Sequence, residues 1–183
     1  MEGVSLSTDQ GYHGIIDRSF GLNLYLVMMS YYTSRPNNFS WQIKGKLAGS
    51  AEPNKEQELL WLKEQGIGAI LCLNKRKPCD SHEVRSSGFE YLHVPIKDFG
   101  VPDSMADVDQ CISFIKHCIE EDKPVAVHCE QGIGRTGRVL TLYLIAEGAE
   151  PREAIREVEM VRGSACVTGE QLRLIEEYGK RVS

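Results

Sequence analysis

From Asn38 onward, short runs of apolar residues alternate with stretches in which apolar side chains recur every three or four positions. Runs of the first kind suit strands and the longer period suits amphipathic helices, so the pattern predicts an α/β domain. Residues 39–43 and 46–51 read as a pair of strands, 69–73 as a third, and 89–96, rich in aromatic and β-branched residues, as a fourth. A helix over 54–65 opens at Asn54 with Gln57 three later, carries Leu59, Leu60 and Leu62 on its buried side and stops at Gly66. Residues 81–87 read as a short helix or turn. Ser104 with Asp107 makes a capping pair, and Met105, Val108, Ile112, Ile115 and Ile119 share a face, which predicts a helix over 104–121. A fifth strand, 124–128, runs into a glycine-rich turn and then an apolar helix over 136–147. Gly148 ends it, and Pro151 opens another with Ala154, Ile155, Val158 and Val161 on one side. Thr168 with Gln171 caps a last one carrying Leu172, Ile175 and Tyr178. Four helices are therefore expected after the strand at 89–96.

Residues 1–35 show no clean period and are read as an N-terminal extension, with 36–183 as the domain that carries the function. The extension has two further readings, an upstream start on a chain whose natural beginning is Met28 or Met29, and a partner-binding segment. Its apolar run, 20–29, is interrupted by Gly21 and Asn23 and falls short of the roughly 20 residues a membrane span needs. Acidic residues upstream and the lack of a small-residue cleavage site argue against a secretory signal, so the expected location is cytoplasmic.

Composition adds little to this picture and excludes some functions. With 183 residues, 42% hydrophobic and 26% charged, the chain is sized for one soluble core and is expected to be a monomer. A net charge of −5 leaves no global positive field to hold nucleic acid or anionic lipid. The six cysteines show no CxxC spacing and do not cluster with the five histidines, so reduced thiols and no metal site are expected.

The junction after the fifth strand carries the chemistry. It reads His128, Cys129, Glu130, Gln131, Gly132, Ile133, Gly134, Arg135, Thr136, Gly137. A cysteine at a strand end, five residues and then an arginine at a helix start would set successive backbone N–H groups in a ring above the sulfur, a cradle for a tetrahedral oxyanion. The glycines permit tight curvature, and Arg135 can close a bidentate fork on two phosphate oxygens. Helix N-termini and cations favour thiolate over thiol, so Cys129 is the expected nucleophile.

Cysteine, five residues and arginine is a weak motif alone, and a second match shows why. Cys79 to Arg85 has two acids inside it, no glycine and no preceding strand. The histidine before Cys129, the two glycines and the following threonine make the first match specific. The same residues also satisfy a dinucleotide fingerprint, Gly132, Gly134 and Gly137, but the following segment is helical and lacks the second strand with its acid. A nucleoside-triphosphate loop fails as well, because Arg135 stands where lysine is required.

His-Cys-x5-Arg-Thr-Gly late in an α/β domain, with an Asp-bearing loop some 30 residues earlier, resembles the cysteine-dependent protein-tyrosine-phosphatase superfamily in its dual-specificity branch. Asn38-Phe39-Ser40-Trp41, Gly45-x-Leu47-Ala48-Gly49, Pro95-Ile96-x-Asp98-Phe99 and the Arg162-Gly163-Ser164 turn are similar to the small atypical members and their archaeal relatives. The resemblance spans about 36–180. It implies a central mixed, mostly parallel sheet of about five strands flanked by helices, and a phosphomonoester hydrolase that works without metal or cofactor. Cys129 would form a cysteinyl-phosphate, and Arg135 would bind ground and transition states. Thr136 would hydrogen-bond the sulfur, His128 would order the loop, and Asp98 would act as general acid and then base. Residues 130–135, namely Glu130, Gln131, Gly132, Ile133, Gly134 and Arg135, would hold the phosphate.

Plainer roles stand beside these. Asp98 could be a turn residue, with Asp103 or Asp80 as the acid; Thr136 could only cap its helix, and His128 could only be a buried strand-end residue. Arg162 reads as a solvated or salt-bridged helix-end cation, with substrate contact as the alternative. Gln171 stands near where relatives place a water-positioning amide, though capping is its simpler role, and Val167 replaces an acid found in some relatives. Cys72 or Cys79 could trap oxidised Cys129 as a disulfide, against the simpler reading of both as inert thiols. Glu130 and Ile133, where phosphoinositide-directed relatives carry lysine, favour a singly phosphorylated protein or small phosphomonoester as partner. The alternative to an enzyme is a phosphate-recognition domain without turnover.

Overall fold

The computed structural model describes residues 34–75, 81–97, 104–163 and 169–183. Most of the N-terminal extension, together with Cys79, Asp80, Asp98, Asp103, Val167 and Thr168, lies outside these residues.

Five strands form one mixed sheet in the order β1-β2-β5-β3-β4. The strands are β1 (Ser40–Ile43), β2 (Leu47–Ala51), β3 (Ala69–Cys72), β4 (Glu90–His93) and β5 (Val125–Cys129). The first two pair antiparallel through the tight turn at Gly45, whose φ of +73° favours glycine. The other pairings, β2 with β5, β5 with β3 and β3 with β4, are parallel. Parallel neighbours need crossovers, and the chain supplies helices for them: α1 (Glu56–Glu64), α2 (Ser81–Ser86) and α3 (Met105–Glu120). Three more follow β5, namely α4 (Gly134–Ala146), α5 (Pro151–Arg162) and α6 (Gly169–Val182). The α/β class, the mostly parallel five-stranded sheet and the four helices after the fourth strand are as the pattern and the resemblance predict.

The three central strands are buried along their whole length, so each strand side chain enters one of two cores. On one face Ala48, Ile70, Cys72 and Ala126 meet Leu59 and Leu62 of α1, with Phe39, Phe89 and Tyr91 at the margin. On the other, Leu47, Leu71, Val125, Val127 and Cys129 pack with α3, α4, α5 and α6. Helix α4 occupies the centre of that layer and is buried from Arg135 to Ile145. Apolar residues on every side of its sequence explain why it can sit there.

Two local predictions need correction. The predicted cap at Asn54 does not form. Lys55 holds the N-cap position, while the Asn54 backbone N–H donates to the Glu58 carboxylate at 2.7 Å and its side chain donates to the Glu52 carbonyl. The fourth strand is shorter than 89–96, because regular pairing stops where β3 stops, at Cys72 opposite His93. Its continuation is still held, Val94 N–H by the Cys72 carbonyl and Ile96 N–H by the Leu73 carbonyl. The capping box at Ser104 and Asp107 forms as the spacing predicts.

Candidate active site

β5 ends at Cys129, which is 2% exposed, and residues 130–133 turn directly into α4. The helix begins at Gly134, two residues earlier than the hydrophobic pattern predicts, because Gly134 and Arg135 are helical although neither contributes to an apolar stripe. Its Gly137 N–H is the one that reaches the Ile133 carbonyl, at 2.8 Å. The amides ahead of it have no acceptor within the helix and lie at its positive end, the usual setting for an anion.

The loop is shaped from outside. Gly132 has φ +69°, and a Cβ there would stand 2.3 Å from the Ser50 carbonyl carbon and 2.4 Å from the Ala51 nitrogen. Only a residue without a side chain lets the loop press this closely on β2. Successive loop carbonyls are each taken by a donor. The Glu52 N–H reaches the Glu130 carbonyl at 3.4 Å, the Asn38 side-chain amide reaches the Gln131 carbonyl at 2.8 Å, and the Arg162 guanidinium donates to the Gly132 carbonyl. In a trans peptide the N–H points opposite to the C=O. Carbonyls held by these donors therefore turn the amides of Gln131, Gly132 and Ile133 to the other side of the loop.

Arg135 is 5% exposed. Its guanidinium donates to the Ile96 carbonyl at 3.3 Å and stands 3.9 Å from the Glu130 carboxylate. The fork is thus anchored to the segment that leads from β4 towards Asp98. Thr136 is fully buried in the first turn of α4, with its methyl group close against Gly49 of β2. His128 is also buried and pairs in register with Ser50 of β2 and Cys72 of β3, behind the loop.

The structure brings together Cys129, Glu130, Gln131, Gly132, Ile133, Gly134, Arg135 and Thr136 in one turn after β5, with His128 preceding them on the strand. Among these Glu130, Gln131 and Ile133 reach the surface. Gln171 is 2% exposed on α6. Cys72 belongs to the core on the face opposite that of Cys129, so a disulfide between the two would require one side chain to cross the sheet.

Sequence reasoning gave four contributors no part in shaping the loop. Arg162 is neither a solvated cation nor part of a salt bridge at a helix end: it donates to the Ser40 hydroxyl at 2.7 Å, to the Asn38 carbonyl at 3.0 Å and to the loop. Burial pushes its pKa below the ordinary value, and attraction to the Cys129 sulfur opposes that fall. Asn38 was legible only as part of a family motif, although its φ of +52° is a conformation that asparagine tolerates. Glu52 and Asn74 form a polar cluster beside His128. Burial raises the Glu52 pKa, His128 and a hydrogen bond from Asn74 lower it, and Cys72 and Glu130 raise it further. No local signal marks these two residues, since their meeting depends on the sheet order.

A family model described as "Polymorphic toxin system, DSP-PTPase phosphatase" matches residues 46–149. The chain belongs to the DSP-PTPase phosphatases. Among solved structures, the chain is similar to Tk-PTP in its active form, with 31% identity and a TM-score of 0.72 over 79% of this chain and 97% of that one. PTPMT1 in complex with PI(5)P has the same fold, with a TM-score of 0.72 at 22% identity, covering 80% of this chain and 97% of that one. An uncharacterized protein of Methanocaldococcus jannaschii is 38% identical over 91 residues, 49% of this chain and 60% of its own length. Dual specificity protein phosphatase 12 of Homo sapiens is 28% identical over 142 residues, 75% of this chain and 40% of its own length. The chain thus spans about half the length of these two curated relatives.

Proposed function

We propose that the phosphatase hydrolyses phosphomonoesters through a cysteinyl-phosphate. The observation that carries this reading is the buried Cys129 at a strand end, followed by a loop whose carbonyls are held by outside donors and by a buried Arg135 at the helix start. The phosphate oxygens would lie among the inward amides and the guanidinium, donors that match the equatorial oxygens of the transition state and need no reorganisation during reaction. The Cys129 thiolate attacks phosphorus, the P–O bond to the leaving group breaks, and Asp98 gives that oxygen its proton. In the second step Asp98 takes a proton from water as the water oxygen attacks phosphorus. The P–S bond then breaks to return the thiolate, which the Thr136 hydroxyl stabilises, and inorganic phosphate departs. The described chain reaches Lys97, next to Asp98, and the hydrogen bond from Arg135 to Ile96 ties the root of that segment to the phosphate site.

The favoured substrate is singly phosphorylated, a protein phosphate ester first. The Glu130 carboxylate beside Arg135 and the absence of lysine at 130, 131 and 133 disfavour headgroups with several phosphates. A lipid substrate is the second reading, because a relative named phosphatidylglycerophosphate phosphatase PTPMT2 of Arabidopsis thaliana aligns over 98% of this chain at 25% identity.

Hydrolysis of a chromogenic aryl phosphate, with and without chelator, tests the mechanism. Chelator-resistant turnover that is inhibited by vanadate and lost in Cys129→Ser supports it; metal-dependent turnover, or turnover that survives the substitution, sinks it. Asp98→Ala should slow esters with poor leaving groups about 100-fold or more and good leaving groups far less. Equal slowing of both would remove Asp98 from the acid role. Parallel assays on phosphopeptides and on vesicles carrying a phosphatidyl phosphate decide between the two substrate classes.

A further inference from the structure

Every peptide in the loop can in principle flip, turning its carbonyl towards the anion and its N–H away. Two side chains far away in sequence act against this. Asn38, in the segment before β1, donates to the Gln131 carbonyl at 2.8 Å across 93 residues of chain, and Arg162, the last residue of α5, donates to the Gly132 carbonyl across 30. We propose that Asn38 and Arg162 are positioning residues for the phosphate site: by holding these two carbonyls outward they fix the N–H groups of Gly132 and Ile133 inward before any ligand arrives. The proposal rests on reading the loop as an anion cradle.

The two donors work as one brace. Arg162 also donates to the Asn38 carbonyl at 3.0 Å and to Ser40 Oγ at 2.7 Å, so the start of β1, the end of α5 and the loop close into a ring of hydrogen bonds. The guanidinium reaches Ser40 from Nη1 and the two carbonyls from Nη2, whereas a lysine ammonium would offer all its donors from one nitrogen, without the planar fork. The geometry around the brace is specific to it. Asn38 adopts φ +52°, which aims its side chain back over the loop, and Gly49 leaves room for the guanidinium, since a Cβ there would lie 2.5 Å from Arg162 Nη1 and 2.9 Å from its Cζ. Gly163 follows at φ +77° and ends α5 at Arg162.

Calorimetric titration of the whole chain with inorganic tungstate tests the brace directly, alongside kinetics on an aryl phosphate and a melting curve for each variant. Asn38→Gly keeps the left-handed backbone and removes the donor; tungstate binding should weaken about fivefold, the effect of one hydrogen bond. Arg162→Lys keeps the charge and loses the fork, and binding should weaken roughly 30-fold, as for hydrogen bonds from a charged donor. In both, kcat/KM should fall at least as far as tungstate affinity, because the same amides bind the transition state. Loss of stability alone, with tungstate affinity per folded molecule within twofold of the parent, would overturn the proposal. Should Arg162→Lys not fold, Asn38→Gly decides the matter alone. A parent that binds tungstate but turns over no ester would sink the phosphatase reading while leaving the brace to be judged by affinity. A parent that does not bind tungstate would overturn both.

Discussion

Replacing Gly132 with alanine applies two penalties whose sizes can be separated. The first is conformational: at φ +69° an L-residue costs about 1–2 kcal/mol over glycine. The second is steric. The new Cβ would stand 2.3 Å from the Ser50 carbonyl carbon and 2.4 Å from both the Ala51 nitrogen and the Ser50 oxygen. These are backbone atoms of β2, a strand held on one side by β1 and on the other by β5, so relief requires the loop itself to move by about 1 Å. Overpacking of this kind costs about 1–3 kcal/mol. The combined loss of about 2–5 kcal/mol predicts a melting temperature lower by roughly 5–20 °C for a domain of this size. Gly163→Ala is the matched control, because its φ of +77° carries the conformational penalty while nothing lies within 4 Å of its Cβ. Urea denaturation of both variants reads the difference, and tungstate titration reads the loop. Equal stability losses in the two variants, or native tungstate affinity in Gly132→Ala, would refute the argument that β2 forms the wall against which the loop is shaped.

Other perturbations address separate parts of the site. The Glu130 carboxylate stands 3.9 Å from Arg135 and competes with an anion there, so Glu130→Gln should tighten inhibition by inorganic phosphate by up to about fivefold, and unchanged inhibition would show that the pair is incidental. Glu52 has its pKa raised in the folded chain, so the native state holds its proton more strongly than the unfolded state does. Stability is then lost as pH rises from the unfolded towards the folded pKa, and Glu52→Gln should gain over the parent at pH 7 relative to pH 4 in melting experiments; a gap that does not widen with pH contradicts the assignment. Leu140, fully buried in α4, should cost about 2–5 kcal/mol on truncation to alanine by chemical denaturation, and a loss under 1 kcal/mol would mean that the helix is not packed as described.

What could be read from the sequence and what could not divides along physical lines. Strands at Leu47–Ala51 and Val125–Cys129 and the helix Met105–Glu120 were legible because burial imposes a period on neighbouring residues. Cys129 and Arg135 were legible because a strand, a tight turn and a helix start are all local. The cap predicted at Asn54 fails because Lys55 holds the N-cap position and the Asn54 side chain turns back to the Glu52 carbonyl. Arg162 looked like any cation at a helix end until the sheet placed β1 and the loop beside it, and Glu52 gained its meaning only from His128 and Asn74. Contacts across 30 to 93 residues leave no trace in local periodicity.

The helix that carries Arg135 is enclosed on every side for eleven residues, from Arg135 to Ile145. Its first turn lies under the loop of residues 130–133, so that floor cannot tilt without repacking the interior of the molecule, and interiors this dense resist such adjustment. Side chains at the lip are under no such restraint: Glu130, Gln131 and Ile133 meet solvent and can be exchanged at little structural cost. Rigid floor and replaceable rim thus lie within one short turn of chain, between Cys129 and Arg135.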